Sequence, residues 1–288
     1  MKKAMIWFCL LLITVFAGDR LAGAFLTYFT KDSQFRYTQL YNGTASADIL
    51  FVGNSRGLSF YQPHVEAITG KKTANLSYNG MPINLAKNLI ADYLEHYPNK
   101  PTIILDITML DRDNKELIAG FVCYANASQR LDTLIHGRSA DVFWGAKISD
   151  LFAHNSEVYQ RSAYYRNKTD KDWIVDRQIL ATTAATVPLD TFYIKVKEKW
   201  VQQLAETVRI AQQAGAPIEL VIGPFYPGMV RDWRNLTDLR TSVEKSTGLT
   251  VRDYSQALTD PSCFGDLIHL NKKGAIEFMD LLQRDSIF

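Results

Sequence analysis

The stretch that decides the fold is "DILFVGNSRG", Asp48 to Gly57. Four apolar residues give way to small and polar ones, which predicts a buried strand followed at once by a tight turn. The turn carries a hydroxyl, Ser55, between Gly53 and Gly57. In an open parallel sheet, binding and reacting groups lie just beyond the carboxyl ends of the strands. The stretch therefore predicts either an ordinary turn or a nucleophile, and the rest of the chain decides between them.

Strand and helix patterns alternate along most of the chain. Strands are predicted over Asp48–Val52, Lys72–Ser77, Thr102–Thr108, Pro217–Gly223 and Leu249–Tyr254, and helices over Pro82–Tyr97, Leu189–Ala214 and Asn271–Leu282. Apolar strands that alternate with amphipathic helices indicate a parallel sheet covered on both faces. We therefore predict an α/β fold, a three-layer α/β/α sandwich whose central parallel sheet has about five strands.

One region does not follow this alternation. Leu110–Pro188 is rich in aromatic residues and separates the third strand from the next long helix. We interpret it as a mostly helical insertion at the carboxyl end of the sheet, which serves either as a helical layer that completes the core or as a lid or docking surface. The predicted organisation is an anchor or signal over 1–29, a connector over 30–47, and an α/β domain over 48–288 with the insertion at 110–188.

The first residues have the pattern of an export signal. Two lysines precede an uncharged apolar run, Ala4–Gly18, and a second apolar piece, Leu21–Phe29, follows after Asp19 and Arg20. The two pieces together are long enough to cross a bilayer, with the two charges at the interface and the arginine side chain snorkelling. The positive-inside rule then places the residues after about 30 outside the cytoplasm, in the periplasm or at the cell surface.

Cleavage is the alternative to a retained anchor. Small residues at Ala17, Ala22 and Ala24 could each mark a signal-peptidase site. We favour retention, because the apolar pattern continues to Phe29.

Composition narrows the function classes. The formal net charge is +2 and there is no dense basic run, so nothing favours nucleic-acid binding. The five histidines are scattered without the spacing of a metal site, and no metal or cofactor is predicted. Outside the apolar run, Cys123 and Cys263 are either one disulfide, as an oxidising compartment would allow, or two buried thiols.

A base for Ser55 is found near the other end of the chain. "GDLIHLNKKG", Gly265 to Gly274, contains Asp266 and His269, three residues apart, in a loop before the last helix. A serine hydroxyl needs a base to attack, and a carboxylate can orient that base and stabilise its protonated form. Taken alone, the pair suits a solvated or capping loop. Together with Ser55, it predicts a Ser-His-Asp triad.

These blocks resemble the SGNH hydrolase superfamily, also called the GDSL family. "GNS", Gly53 to Ser55, stands where "GDS" is common, and Asp266 to His269 matches the last block, Asp-x-x-His. The resemblance covers about residues 48 to 284. It implies a serine esterase or acyltransferase with Ser55, His269 and Asp266 as its triad.

The resemblance also implies an oxyanion hole. The second block supplies a glycine N–H, for which Gly80 in "NLSYNGMP" is the best match, beside the N–H of Ser55. The third block of the family, Gly-x-Asn-Asp, is replaced here by "DITMLDRDN", Asp106 to Asn114. Asn79 and Asn114 are the alternatives for the missing amide donor.

The anchored layout is similar to one branch of that superfamily. Its members are single-pass extracytoplasmic proteins that modify cell-envelope polymers, including those of teichoic acid D-alanylation and alginate O-acetylation, and they commonly work beside a membrane-bound O-acyltransferase. The resemblance thus implies action on acyl esters of an envelope polysaccharide. The alternative from another class is a catalytically inactive subunit that binds polysaccharide or the acyltransferase, and a secreted lipase is the less favoured third reading.

Three further residues are predicted to bind substrate. Arg56 follows the nucleophile and either holds an anionic substrate group or pairs with a carboxylate. Phe225 and Tyr226, in "GPFYPG" after the fourth strand, either stack on sugar rings or stiffen a packed loop. His64 is expected to begin a helix rather than to act as a base.

Overall fold

The computed structural model describes residues 2–185, 196–229 and 234–288. Its centre is a five-stranded parallel sheet in the order β2-β1-β3-β4-β5. The strands are β1 (Ile49–Val52), β2 (Thr73–Asn75), β3 (Thr102–Asp106), β4 (Ile218–Ile222) and β5 (Val251–Asp253). The predicted α/β class and the predicted number of strands are confirmed.

The helices alternate with these strands. They are α1 (Lys2–Thr30), α2 (Arg36–Asn42), α3 (Gln62–Thr69), α4 (Ile83–His96), α5 (Lys115–Gly120), α6 (Gln129–Arg138), α7 (Ala140–Ile148), α8 (Asp150–Ala153), α9 (Glu157–Tyr164), α10 (Ala181–Ala185), α11 (Glu198–Gln213), α12 (Arg234–Thr247) and α13 (Lys272–Arg284). Of these, α4, α11 and α12 pack side by side, α3 contacts α13, and helices cover both faces of the sheet. The helix predicted over Leu189–Ala214 corresponds to α11 in its described part, and its first residues lie outside the described residues.

The sheet is buried on both faces at its centre. All four side chains of β1 are fully buried, and Leu50 is paired with Ala74 on one side and Ile103 on the other. Burial on both faces explains why the strand is apolar throughout instead of alternating. At the sheet edge, β5 leaves Arg252 and Asp253 exposed. The position of β1 therefore directs the residues that follow it, beginning at Gly53, to the carboxyl edge of the sheet.

The chain divides into two compact units. One consists of residues 1–44 and 115–169, and the other, which contains the sheet, consists of residues 45–114 and 170–288. In the first unit, the rings of Tyr37 and Phe121 meet edge to face with centroids 4.7 Å apart, and both side chains are fully buried. Most of its residues after 114 are helical, in α5 to α9 and in short 3-10 turns.

The first helix, α1, is long and apolar enough to cross a membrane. Most of the large apolar side chains of its first half are exposed, including Trp7, Leu11 and Ile13. In its second half Gly23 and Thr30 are buried within the first unit, and Tyr159 donates a hydrogen bond to the Leu26 carbonyl oxygen at 3.1 Å. The helix is therefore a membrane anchor or a signal sequence by length and composition, and its second half packs in the first unit.

Candidate functional site

The turn after β1 is shaped by Asn54, which is buried. Its side-chain oxygen accepts a hydrogen bond from the Arg56 N–H at 2.9 Å, and its amide donates to Thr108 Oγ1 at 3.3 Å. Ser55 directly precedes a short 3-10 turn, Arg56–Ser59, and is itself half-buried. Asn54 holds the backbone of the turn, and its polar atoms are used within the protein.

Glycine is required on both sides of Ser55 because neighbouring atoms are close. A Cβ at Gly53 would lie 2.8 Å from the Gly57 Cα and 3.1 Å from the Asp106 Cβ. A Cβ at Gly57 would overlap the side chain of Ser77. The two glycines therefore let the turn pack tightly against the ends of the neighbouring strands.

The loop before α13 folds around the carboxylate of Asp266. Its Oδ1 accepts hydrogen bonds from the N–H groups of Ile268, at 3.0 Å, and His269, at 2.9 Å. Asn271 then caps α13, since its side-chain oxygen accepts from the Gly274 N–H at 3.1 Å. The local sequence thus fixes the backbone between the carboxylate and the imidazole.

Ser55, His269 and Asp266 lie in a chain of hydrogen bonds. His269 Nε2 is 2.9 Å from Ser55 Oγ, and His269 Nδ1 is 2.9 Å from both carboxylate oxygens of Asp266. An ionised carboxylate only accepts hydrogen bonds, so Nδ1 carries the proton and Nε2 is left to accept from the serine hydroxyl. This arrangement can remove a proton from Ser55 as it attacks a carbonyl carbon.

The Asp266 carboxylate is held in its ionised form. Desolvation on its own would raise the pKa, but hydrogen bonds from His269 and from the Ile268 N–H lower the pKa of Asp266 to about 2. The carboxylate is thus ionised at neutral pH, as an orienting group for an imidazole must be.

Arg177 also contacts this carboxylate, and sequence reasoning missed it. Its guanidinium lies 3.7 Å from an Asp266 oxygen and donates to the Gly265 carbonyl at 3.3 Å. The residues before it lie beside the loop that precedes α13, since Val175 forms a β-bridge with Asn271. Arg177 carries no motif in the sequence, and only the fold reveals its position.

Arg56 links the Ser55 turn to two other loops. The guanidinium is buried and donates to the carbonyl oxygens of Ile268 at 2.8 Å, Gly223 at 2.6 Å and Pro224 at 3.0 Å. Ile268 directly precedes His269 in the chain. Arg56 therefore fixes the residue beside the nucleophile to the loop that carries the imidazole.

Two further contacts surround the Arg56 guanidinium. It lies over the ring of Phe225, 3.6 Å from the ring centroid, and its Nε is 3.8 Å from a carboxylate oxygen of Asp106. Burial lowers the pKa of Arg56 to about 10, against the opposing influence of Asp106, and the group remains cationic at neutral pH. Its donors are directed at protein atoms, which favours the pairing role over the substrate-binding role that sequence reasoning left open.

The two aromatic residues predicted to stack on sugars are packed inside the sheet-containing unit. Phe225 is 1% exposed and Tyr226 is 8% exposed. The Tyr226 ring meets Phe264 edge to face at 5.5 Å, and the Phe225 N–H donates to the Ser255 carbonyl. Their contact with a substrate stays a prediction, and their packing here stiffens the loop after β4.

The predicted oxyanion donors differ in their surroundings. Gly80 has a φ of 69°, which only glycine adopts readily, and its carbonyl accepts from the Asn114 side-chain amide at 3.0 Å. Asn79 is exposed. Among the hydrogen bonds of the described residues, none has the N–H of Ser55 or of Gly80 as its donor. Both N–H groups thus remain candidates for an oxyanion hole, with Asn114 beside Gly80.

The remaining chemical candidates have other partners. Cys123 and Cys263 are free thiols, and the Cys263 sulfur lies 3.3 Å from a carboxylate oxygen of Glu277. His64 lies near the start of α3, and its Nε2 is 2.6 Å from a carboxylate oxygen of Asp280. In the described part of the chain, no group of three or more His, Cys, Asp or Glu side chains is placed to hold a metal ion.

The site thus combines a hydroxyl, an imidazole and a carboxylate in hydrogen-bond contact at the carboxyl edge of a parallel sheet. A buried arginine joins the two loops that carry them. Comparison of the chain with protein-family models and with curated proteins found no match.

Proposed function

We propose that this protein is a serine esterase or O-acyltransferase that acts on acyl esters through Ser55, His269 and Asp266. The observation that carries the proposal is the continuous hydrogen-bond chain from the Ser55 hydroxyl through His269 to Asp266, with 2.9 Å at each step. Such a chain makes a hydroxyl nucleophilic without a metal or a cofactor.

The reaction proceeds in two halves. Ser55 Oγ attacks the acyl carbon while His269 Nε2 takes its proton, and the protonated imidazole then gives that proton to the departing alkoxide oxygen. The acyl group is now esterified to Ser55. Water or a second hydroxyl then attacks this ester while His269 takes its proton. The bond from the acyl carbon to Ser55 Oγ breaks and the imidazolium returns the proton to Ser55, which releases free acid in hydrolysis or a new ester in transfer.

Asp266 and the turn residues support these steps. The Asp266 carboxylate keeps Nδ1 protonated and stabilises the imidazolium. The N–H groups of Ser55 and Gly80 are the proposed donors to the oxyanion, with Asn79 and Asn114 as the candidates for a third.

We place the reaction outside the cytoplasm, with α1 retained as a membrane anchor. Packing of its second half supports retention, because Gly23 is buried there. Cleavage after Ala24 would remove Gly23 from the first unit, and cleavage after Ala22 would cut the chain directly before it. By resemblance alone, the substrate is an acylated cell-envelope polysaccharide, and a membrane-bound O-acyltransferase is the partner.

The alternative is a catalytically inactive subunit of the same fold that binds polysaccharide or the acyltransferase. Replacement of the third block by Asp106–Asn114 favours it, since that block supplies an oxyanion donor in the superfamily that this chain resembles. The hydrogen-bond chain at Ser55 favours the enzyme.

Covalent labelling tests the proposal. The purified full-length chain is treated with a fluorophosphonate probe and assayed on p-nitrophenyl acetate, alongside Ser55→Ala and the control Ser262→Ala, a nearby serine outside the hydrogen-bond chain. We expect wild type and the control to be labelled and the Ser55 variant to lose both labelling and ester turnover. Labelling that persists in Ser55→Ala contradicts the assignment, and a wild-type chain that is never labelled supports the inactive subunit.

A further inference from the structure

The middle of α1 is fixed to the start of α8 within the first unit. The Asp19 carboxylate accepts hydrogen bonds from Ser149 Oγ at 2.6 Å and from the Asp150 N–H at 2.8 Å. The Arg20 guanidinium donates to the Ile148 carbonyl at 2.7 Å and forms an ion pair with Asp150. Both charges that interrupt the apolar segment are therefore paired, as charges at membrane depth need to be.

The length of the uncharged run sets the depth of this contact. Ala4–Gly18 extends only about 22 Å at a helical rise of about 1.5 Å per residue. The hydrocarbon core of a bilayer is about 30 Å thick and takes about 20 helical residues, so a span that begins near Ala4 ends near Gly23. Asp19 and Arg20 then lie inside that boundary, together with the residues that pair with them.

The residues around this contact are exposed and apolar. We call α7 and α8, residues 140–153, the α7–α8 corner. On it Trp144 is 57% exposed, Ile148 74%, Leu151 45% and Phe152 43%. Exposed aromatic and aliphatic side chains of this size suit the boundary between lipid headgroups and acyl chains.

Local packing holds these side chains in one place. A Cβ at Gly145 would lie 2.7 Å from the Phe152 ring, so glycine lets α7 and the Phe152 ring approach closely. At the end of α1, Lys31 lies over the Tyr28 ring at 4.1 Å and Arg166 over the Phe29 ring at 4.2 Å. These cations and aromatic rings lie beyond the end of the predicted span. Side chains of this kind are typical of the headgroup layer, where they contact lipid phosphates and carbonyls.

We propose that the α7–α8 corner inserts into the lipid interface beside α1, so that this unit is held to the bilayer by both the helix and the corner. Past the two charges α1 also keeps exposed apolar side chains, with Leu21 73% exposed and Phe25 63% exposed. The proposal rests on α1 being a membrane anchor, as given under the proposed function. It explains how Asp19 and Arg20 are accommodated below the bilayer surface.

Depth-dependent quenching tests the proposal on the full-length chain. The three native cysteines are replaced by alanine, and single cysteines are introduced by Leu12→Cys in the anchor, Ile148→Cys in the corner and Gln129→Cys on an exposed polar position of α6. Each variant is labelled with an environment-sensitive nitrobenzoxadiazole dye. The labelled chains are reconstituted in phosphatidylcholine–phosphatidylglycerol vesicles, with and without brominated acyl chains.

We expect blue-shifted emission that brominated lipid quenches at positions 12 and 148, and neither effect at position 129. Quenching at 12 without quenching at 148 would overturn the proposal and leave the anchor intact. Loss of quenching at both positions would overturn the anchor itself. Blue-shifted but unquenched emission at 148 would mean that protein, such as a second copy of the chain, covers the corner, and this too would overturn the proposal.

Discussion

The two loops that form the candidate site are held in different ways. The Ser55 turn is tied into the core, because its flanking residues Asn54 and Arg56 are buried and their polar atoms bond to neighbouring strand ends and loops. The side chains of Asp266 and His269 are 34% and 22% exposed and are held mainly by bonds to each other and to their own backbone. Substitutions in the turn should therefore affect folding and activity together, whereas those in the loop should affect mainly activity.

The largest expected effect is on activity, from Asp266→Asn. The amide places an N–H or a weaker acceptor at Nδ1, which disfavours the required tautomer, so we expect kcat to fall about 10³–10⁴-fold. The melting temperature should change little, because the loop is partly exposed. The control Asp172→Asn, at an exposed carboxylate of the same unit, should retain full activity.

The pKa of Asp266 adds a pH criterion to this prediction. Because that pKa is about 2, the wild-type pH–rate profile should show no limb from this carboxylate above about pH 4. Folded Asp266 has a lower pKa than the ordinary value of 3.8, so its ionised form adds to stability above pH 3.8 and this contribution is lost as the pH falls towards 2. Solvent screening of a side chain that is 34% exposed keeps the contribution small, in line with the small change expected in the melting temperature. An unchanged kcat in Asp266→Asn would contradict the prediction that the loop of Asp266 and His269 governs activity.

The next effect is on stability, from Arg56→Met. The substitution leaves the Asp106 carboxylate buried without its cation and releases three carbonyl oxygens, so we expect unfolding to become easier by about 3–5 kcal/mol. Activity should fall as well, because Ile268 loses its link to the turn. Urea unfolding measures the first effect, and exposed Arg209→Met is the matched control.

A double substitution sharpens the Arg56 prediction. Arg56→Met combined with Asp106→Leu removes both charges and should recover part of the lost stability, though not the link to the His269 loop. Full recovery of activity in the double variant would show that Arg56 does not position that loop.

The smallest effect is expected from Asn114→Ala. Its amide bonds to the Gly80 carbonyl, so its loss should lower kcat less than tenfold, in line with about 1 kcal/mol for one hydrogen bond. A fall of about 10²–10³-fold would instead identify Asn114 as a direct oxyanion donor. Asn79→Ala is the parallel measurement, since sequence reasoning left the two residues as alternatives.

The sheet was predictable because its central strands contain continuous runs of β-branched and other apolar residues, such as Ile49–Val52 and residues 103–105. The residues at which the strands end could not be predicted in the same way. The strand predicted over Lys72–Ser77 ends at Asn75, whose side-chain oxygen accepts from the Ser77 N–H at 2.8 Å, although the Leu76 N–H still donates to the Phe51 carbonyl oxygen of β1. Side chains that compete for backbone groups in this way leave a weak trace in the sequence.

The candidate site, too, was predictable only in part. Ser55, Asp266 and His269 could be singled out because few residue types activate a hydroxyl, and they lie in hydrogen-bond contact although their catalytic role stays a prediction. The contacts of Arg56 could not be predicted, because they depend on carbonyl oxygens of residues as far as 212 positions away in the sequence. Backbone acceptors carry no signature of their own in a sequence.

The two free thiols outside α1, Cys123 and Cys263, have a consequence for thiol chemistry. Burial, with the neighbouring Glu277 carboxylate, raises the pKa of Cys263 to about 12, and burial raises that of Cys123 to about 12. Since only a thiolate attacks a disulfide, the raised pKa values keep both thiols protonated and therefore unreactive at neutral pH. We therefore expect both positions of the folded chain to be slow in disulfide exchange.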